Sequence, residues 1–253
     1  RRAIHQGELV LHYQPKFDLR TRRIVGVEAL VRWAPPGQKL VFPDAFIGVA
    51  ERAGIMKPLT FAVVRLALRQ YRAWEEQGVT LPMAINLTAS ILDDNDFPDE
   101  LCAALEAVSV SPAGIALELT ESVVMAKPDR TQHILQRLSA MGFQLAIDDF
   151  GTGYSSLAYL GRLPVDEMKI DRSFVLKMST SEGDRTIVQA SIDLAHKFGK
   201  RVVAEGVEDT TTLRMLEDLD CDEAQGYLIS RPLPAEHLAG WLENWVPPAL
   251  VAA

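Results

Sequence analysis

The 253-residue sequence predicts an α/β fold, a single (β/α)8 TIM-like barrel with one strand antiparallel to the rest. Three observations lead there. Short apolar runs of strand length recur along the chain, and helical periodicity fills most of the gaps between them. No Pro/Gly/Ser-rich linker interrupts the alternation, which favours one closed barrel over two domains, with a doubly wound open sheet as the competing arrangement. The first two runs are joined only by Asp18 to Arg23, too short for a crossover helix, so this pair should run antiparallel.

In chain order the expected strands are Leu9–Gln14, Ile24–Trp33, Pro82–Leu87, Ile115–Leu119, Phe143–Asp148, Glu167–Ile170, Arg201–Glu205 and Glu223–Tyr227. After the second strand, Phe61, Val64, Leu68 and Tyr71 recur at helical spacing, and Gly78 is a plausible stop. A second helix covers roughly Asp129–Met141 and stops at Gly142. Ile187, Ser191, Leu194 and Phe198 would line one face of a third, ended by Gly199. The tail around Pro247-Pro248 reads as a fraying terminus.

Polar residues fall at matching places in these strands. Asn86, Glu118, Asp148 and Glu205 each follow an apolar run, Lys169 lies near the end of its strand, and Gln225 falls within the last. In a parallel barrel such ends open onto one face, where barrel active sites are built. Glu28 shares a strand face with Gly26, Leu30 and Arg32, because strand side chains alternate. Any one of these has a plainer reading as a helix cap, a turn residue or half of an ion pair; the coincidence of positions is the signal. Asp148 and Asp149 stand side by side before the turn Phe150-Gly151-Thr152-Gly153, and paired carboxylates resist ionising unless a cation is near. Gly151 and Gly153 alone read equally as an ordinary βα turn.

A charge argument follows. Glu28, Glu118, Asp148, Asp149 and Glu205 would bring five carboxylates into one mouth, and two divalent cations plus Lys169 would balance them. The donors would all be hard oxygens, the Asn86 carbonyl included, which suits Mg²⁺ or Mn²⁺ better than zinc or copper. His5, His12, His133, His196 and His237 avoid these strand ends, which argues against a histidine metal site or a Ser-His-Asp triad.

Composition narrows the alternatives. A formal charge of −8 disfavours general binding to nucleic acid or to anionic membranes. Cys102 and Cys221 alone make neither a disulfide framework nor a zinc-ligand spacing, which fits a reducing, cytoplasmic setting. No apolar run approaches the ~18 residues of a membrane span. The first residue is Arg1 rather than Met, so the whole of 1–253 is expected to be one domain cut from a longer protein, whose full length could still be membrane-anchored.

The motifs resemble a known family. Val27-Glu28-Ala29-Leu30-Val31-Arg32-Trp33 looks like the signature of the EAL domain, the bacterial phosphodiesterases of cyclic di-GMP. Tyr13-Gln14-Pro15 precedes it. Asn86-Leu87-Thr88, Glu118-Leu119-Thr120-Glu121 and the run from Asp148 to Leu157 follow in the family's order, then Lys169-Ile170-Asp171, Glu205-Gly206-Val207-Glu208, Gln225-Gly226-Tyr227 and Arg231-Pro232. Departures are mild: Thr88 stands where serine is frequent, and Ile229 where an aromatic is common.

The resemblance implies two-metal hydrolysis of cyclic di-GMP to the linear dinucleotide. Glu28, Asn86, Glu118 and Asp148 match the ligands of one Mg²⁺ or Mn²⁺. Asp148 and Asp149 match ligands of a second, with Asp148 bridging and Glu205 beside it. Lys169 matches the residue that positions and activates the attacking water. Gln14, Leu30, Arg32 and Gln225 match substrate positions, and Glu121 matches a brace of the glycine loop through which the family couples dimerisation to metal binding. The implied partners are cyclic di-GMP, a second copy in a homodimer, and an N-terminal sensory or GGDEF module. Two other readings stay open: a receptor that binds cyclic di-GMP without turnover, and a hydrolase of another phosphoester.

Overall fold

Nine strands organise the computed structural model, which describes residues 1–153 and 157–248: β1 (Leu9–Asp18), β2 (Arg23–Trp33), β3 (Met83–Asn86), β4 (Ile115–Thr120), β5 (Gln144–Phe150), β6 (Glu167–Ile170), β7 (Arg201–Glu205), β8 (Glu223–Gln225) and β9 (Leu233–Pro234). Strands β2 to β8 pair in parallel in sequence order. β1 closes the ring, running antiparallel to both β2 and β8. The barrel and its one reversed strand are thus as the short Asp18–Arg23 connection requires. β9, absent from the expected strands, adds a two-residue edge to β1.

β1 is longer than its sequence pattern suggests. It continues through Pro15, a residue that cannot donate to a ladder, as far as Asp18. Its two faces explain why. Tyr13 packs edge-on against Trp74 of the Met56–Glu76 helix at 4.6 Å, and Phe17 against Trp245, just past the Ala235–Asn244 helix, at 5.3 Å. Gln14 and Lys16, on the other parity, face the barrel interior.

The helices wrap the barrel with their apolar stripes inward. The Met56–Glu76 helix buries Val64, Leu68 and Tyr71, and the Pro128–Ala140 helix buries Ile134, Leu135 and Leu138. Gly78, Gly142 and Gly199, just beyond three helices, all have positive φ, the stop expected of them. The Glu182–Lys197 helix corrects one expectation: it buries Val188, Ser191, Ile192 and Ala195, while Ile187 is 39% exposed. Apolar residues at both 187 and 188 leave the inward stripe ambiguous by one position, and docking on the barrel chooses. The tail is tied down as far as Pro248, whose carbonyl accepts from Arg22 Nη2; the chain beyond it, and Tyr154-Ser155-Ser156 of the glycine motif, lie outside the described residues. Among the described residues, no helix is long and apolar enough to cross a membrane.

Candidate active site

Strand register brings the polar residues to one mouth. Gln14 stands opposite Glu28, Asn86 beside Glu118, and Glu205 beside Gln225. Lys169 is the hub. Its ammonium, with no solvent exposure, lies 2.7 Å from Glu205 Oε1, 2.8 Å from Glu118 Oε2, 3.3 Å from Glu28 Oε2 and 3.4 Å from Asp148 Oδ1. Polar neighbours complete the ring: Asn86 Nδ2 donates to Glu28 Oε1 at 2.6 Å, and Gln225 Nε2 to Glu28 Oε2 at 2.8 Å. Gln225 Nε2 also reaches Gln14 Oε1 at 3.1 Å.

One lysine cannot neutralise four acids. Burial works against the Lys169 charge, yet the carboxylates around it hold its pKa well above the ordinary value. Asp148 shows the deficit from the other side. Burial pushes its pKa well up, and repulsion from Glu205, Glu118 and Glu28 adds to what Lys169 offsets. Glu205 is raised for the same first reason, burial. Glu118 is the exception. Burial opposes its charge too, but Lys16 and Lys169 together hold it down at about 2.

The carboxylate pair does not close its strand, as its sequence suggested; it lies inside β5, where the pairing with β6 shifts between Ile147 and Phe150. Asp149 takes a left-handed φ of 54°. Consecutive strand residues ordinarily point to opposite faces, so this local irregularity is what lets both acids serve one mouth. One oxygen each from Asp148, Asp149 and Glu205 falls within 4.8 Å of the others, close enough to hold one cation. Burial, then repulsion from Asp171, raises the pKa of Asp149. The candidate ligands in the mouth all offer oxygen, from carboxylates or the Asn86 carbonyl, so the residues fit a hard divalent ion.

Below the glycine turn, Glu121 Oε2 accepts from the backbone N–H of Gly151 at 2.9 Å and of Gly153 at 3.3 Å. A Cβ at Gly153 would stand 2.9 Å from Glu121 Oε1, so a larger residue would have to push this carboxylate aside. At Gly226 the constraint is stricter: the Val207 backbone lies where its Cβ would be, next to Gln225 at the end of β8.

Arg32 and Leu30 sit apart from the Lys169 cluster, further along the same face of β2. Arg32 is buried, stacks over Phe42 at 4.9 Å and donates through Nη1 to the Val31 carbonyl. Its Nε, like Gln225 Oε1, is a buried polar atom without a hydrogen-bond partner among the described residues. Leu30 is half-buried.

Sequence reasoning missed the floor of this site. Lys16, 5% exposed, donates to Glu118 Oε1 at 2.9 Å and to Glu167 Oε1 at 2.7 Å. Arg201 then links Glu167, at 3.6 Å, to Glu223, at 3.0 Å. The alternation from Gln14 carries the signal, but Pro15, which cannot donate to a ladder, reads as the strand's end.

A family model described as "EAL domain" matches residues 1–232. The "Cyclic di-GMP phosphodiesterase NbdA" of Pseudomonas aeruginosa is 44% identical over 246 residues, 97% of this chain but 31% of that protein. The bifunctional diguanylate cyclase/cyclic di-GMP phosphodiesterase MucR of the same organism is 41% identical over 94% of this chain and 35% of its own. The chain therefore spans about a third of the length of these curated relatives. The solved structure of the PaMucR phosphodiesterase in complex with c-di-GMP superposes with a TM-score of 0.90 at 41% identity, covering 94% of this chain and 97% of that one.

Proposed function

The chain belongs to the EAL domain family, and on that footing we propose that residues 1–253 form a metal-dependent phosphodiesterase domain that hydrolyses cyclic di-GMP to the linear dinucleotide. The observation that carries the reading is the cation deficit around Lys169, where one ammonium serves Glu28, Glu118, Asp148 and Glu205 with Asp149 alongside. Uncompensated buried charge is costly, and two Mg²⁺ or Mn²⁺ ions would balance these five acids together with Lys169. In this reading Glu28, Asn86, Glu118 and Asp148 hold one ion, while Asp148 and Asp149, with Glu205 beside them, hold the other. Bound there, the ions would stabilise charge on the phosphoryl oxygens and make a water more acidic.

The protein's own groups then divide the remaining work. Lys169, a donor-only ammonium fixed by its acids, orients the attacking water. Arg32 offers its spare guanidinium N–H groups to a phosphate oxygen, and charge-assisted bonds of that kind are strong and directional. Its stacking on Phe42 supports a fixed approach. Gln14, Leu30 and Gln225 contact the rest of the dinucleotide, and the unpartnered Gln225 Oε1 is an acceptor for a ligand N–H. Glu121 braces the loop that follows Asp149. The phosphodiesterase activity named for the relatives and the c-di-GMP complex of the MucR domain support the substrate. The proposal extends to a homodimer and to a neighbouring sensory or GGDEF module, the latter in keeping with the longer, bifunctional MucR.

Turnover of cyclic di-GMP with Mg²⁺ or Mn²⁺, and its loss with chelator, is the test. Tight binding without turnover in the presence of metal would favour a receptor. Unchanged turnover in Glu28→Ala or Asp148→Ala would sink the assigned site.

A further inference from the structure

We infer that Lys16 is a positioning residue for the metal site, holding Glu118 from beneath so that a single carboxylate oxygen faces the ions. The inference rests on the two-metal reading above and adds a residue to it.

Glu118 is fully buried, and each of its oxygens meets a different ammonium: Oε1 lies 2.9 Å from Lys16, and Oε2 2.8 Å from Lys169. The two lysines approach from opposite ends of the barrel. Lys169 belongs to the mouth, among the acids proposed to bind metal. Lys16 belongs to the floor, where it is anchored by Glu167 Oε1 at 2.7 Å, and Glu167 lies on β6 two residues before Lys169, on the same face. Arg201 in turn sits 3.6 Å from Glu167 and 3.0 Å from Glu223. Lys16 reaches the axis because Gly26, Ala84 and Ala116 leave space there, lining a cavity of about 70 Å³ with it.

The two contacts differ in what a cation would do to them. A divalent ion in the mouth competes directly with Lys169 for Glu118 Oε2, whereas it leaves the Lys16 contact on Oε1 in place. Glu118 thus keeps one charge-compensating partner whether or not metal is bound. Partners behind a metal ligand orient it, and losing one typically costs ~10–100-fold in metal affinity. Without Lys16, the Glu118 side chain has no anchor below, and the ligand would be free to rotate toward Lys169.

The experiment is Mn²⁺ titration by calorimetry of wild type, Lys16→Met and Lys16→Arg, with circular dichroism to verify folding and cyclic di-GMP turnover measured alongside. Lys16→Met should bind one Mn²⁺ ~10–100-fold more weakly, leaving the other site less affected. Lys16→Arg, whose added bulk the cavity can take, should recover most of that affinity. A folded Lys16→Met with wild-type affinity at both sites overturns the inference alone. A wild type that binds no Mn²⁺ overturns the two-metal reading as well. Should Lys16→Met not fold, a crystal structure of the Mn²⁺-loaded wild type decides: Lys16 still bonded to Glu118 supports the role, and Glu118 detached from Lys16 overturns it.

Discussion

Lys169 Nζ and Glu118 Oε2 meet at 2.8 Å with neither side chain exposed, yet this ion pair is not self-sufficient. The same ammonium serves three further carboxylates. A buried pair stabilises only when its surroundings are balanced, and here they carry excess negative charge.

Replacing the hub should therefore uncover the deficit. Lys169→Met is expected to destabilise the metal-free protein by ~3–5 kcal/mol, the cost of leaving buried charges without a partner. Added Mn²⁺ should raise its melting temperature more than it raises that of wild type, because the ions then meet more uncompensated charge. Turnover should fall by ~10²–10³-fold, the usual cost of removing one preorganised donor at a reacting oxygen. Equal thermal shifts in the two proteins would remove Lys169 from the charge balance.

Metal alone should stabilise wild type. At a hundredfold excess over its dissociation constant an ion adds about 2.7 kcal/mol per site. Differential scanning with Mg²⁺, Mn²⁺ or EDTA measures this directly, and a melting temperature blind to all three would contradict a metal centre.

Asp149 separates charge from backbone. Asparagine tolerates the left-handed φ of 54° found here, so Asp149→Asn should fold normally. It also relieves repulsion from Asp171, so melting without metal should stay level or rise. One of two Mn²⁺ ions should be lost by calorimetry, with turnover down by roughly 10²-fold or more. Undiminished stoichiometry would mean that Asp149 does not bind an ion.

Glu121 and Gly153 should act as one unit. Glu121→Ala removes the acceptor of two loop N–H groups, and Gly153→Ala forces a Cβ against the same carboxylate. Each should lower kcat by ~10–10²-fold through misplacement of the loop, and the double variant should be little worse than the poorer single one. Multiplying losses would show that the two residues act separately.

Glu223 predicts a stability difference with pH. Burial and then Glu167 push its pKa up to about 7, against the attraction of Lys16 and Arg201. A carboxyl raised in the folded state favours folding at low pH. That contribution is complete below the ordinary value near 4.5 and is lost as pH rises through about 7. Glu223→Gln lacks the titration, so it should melt with wild type at pH 5 and several degrees above it at pH 8.5, reflecting at most ~3 kcal/mol. A constant offset between the two proteins would contradict the shift.

Much of the fold was legible because local rules and global architecture agree. Each of the eight barrel strands begins within one residue of its expected start, and the glycines at 78, 142 and 199 end helices through positive φ. Misreadings arose where local signals conflict. Pro15 reads as a strand end, but burial of Phe17 and pairing with β8 carry β1 onward. The stripe of the Glu182–Lys197 helix was ambiguous between Ile187 and Val188 until the barrel fixed which one is buried.

The candidate site divides in the same way. By itself the sequence determined which strands carry Glu28, Asn86, Glu118, Asp148, Lys169 and Glu205, because strand ends and their polar residues are local features. Only the tertiary structure decided how these groups pair. Lys16 and Glu118 lie 102 residues apart, and whether they meet depends on ring closure and strand register, which no local pattern encodes. The left-handed φ at Asp149 falls where the β5–β6 register shifts, so the geometry that brings both acids to the mouth likewise belongs to the folded barrel.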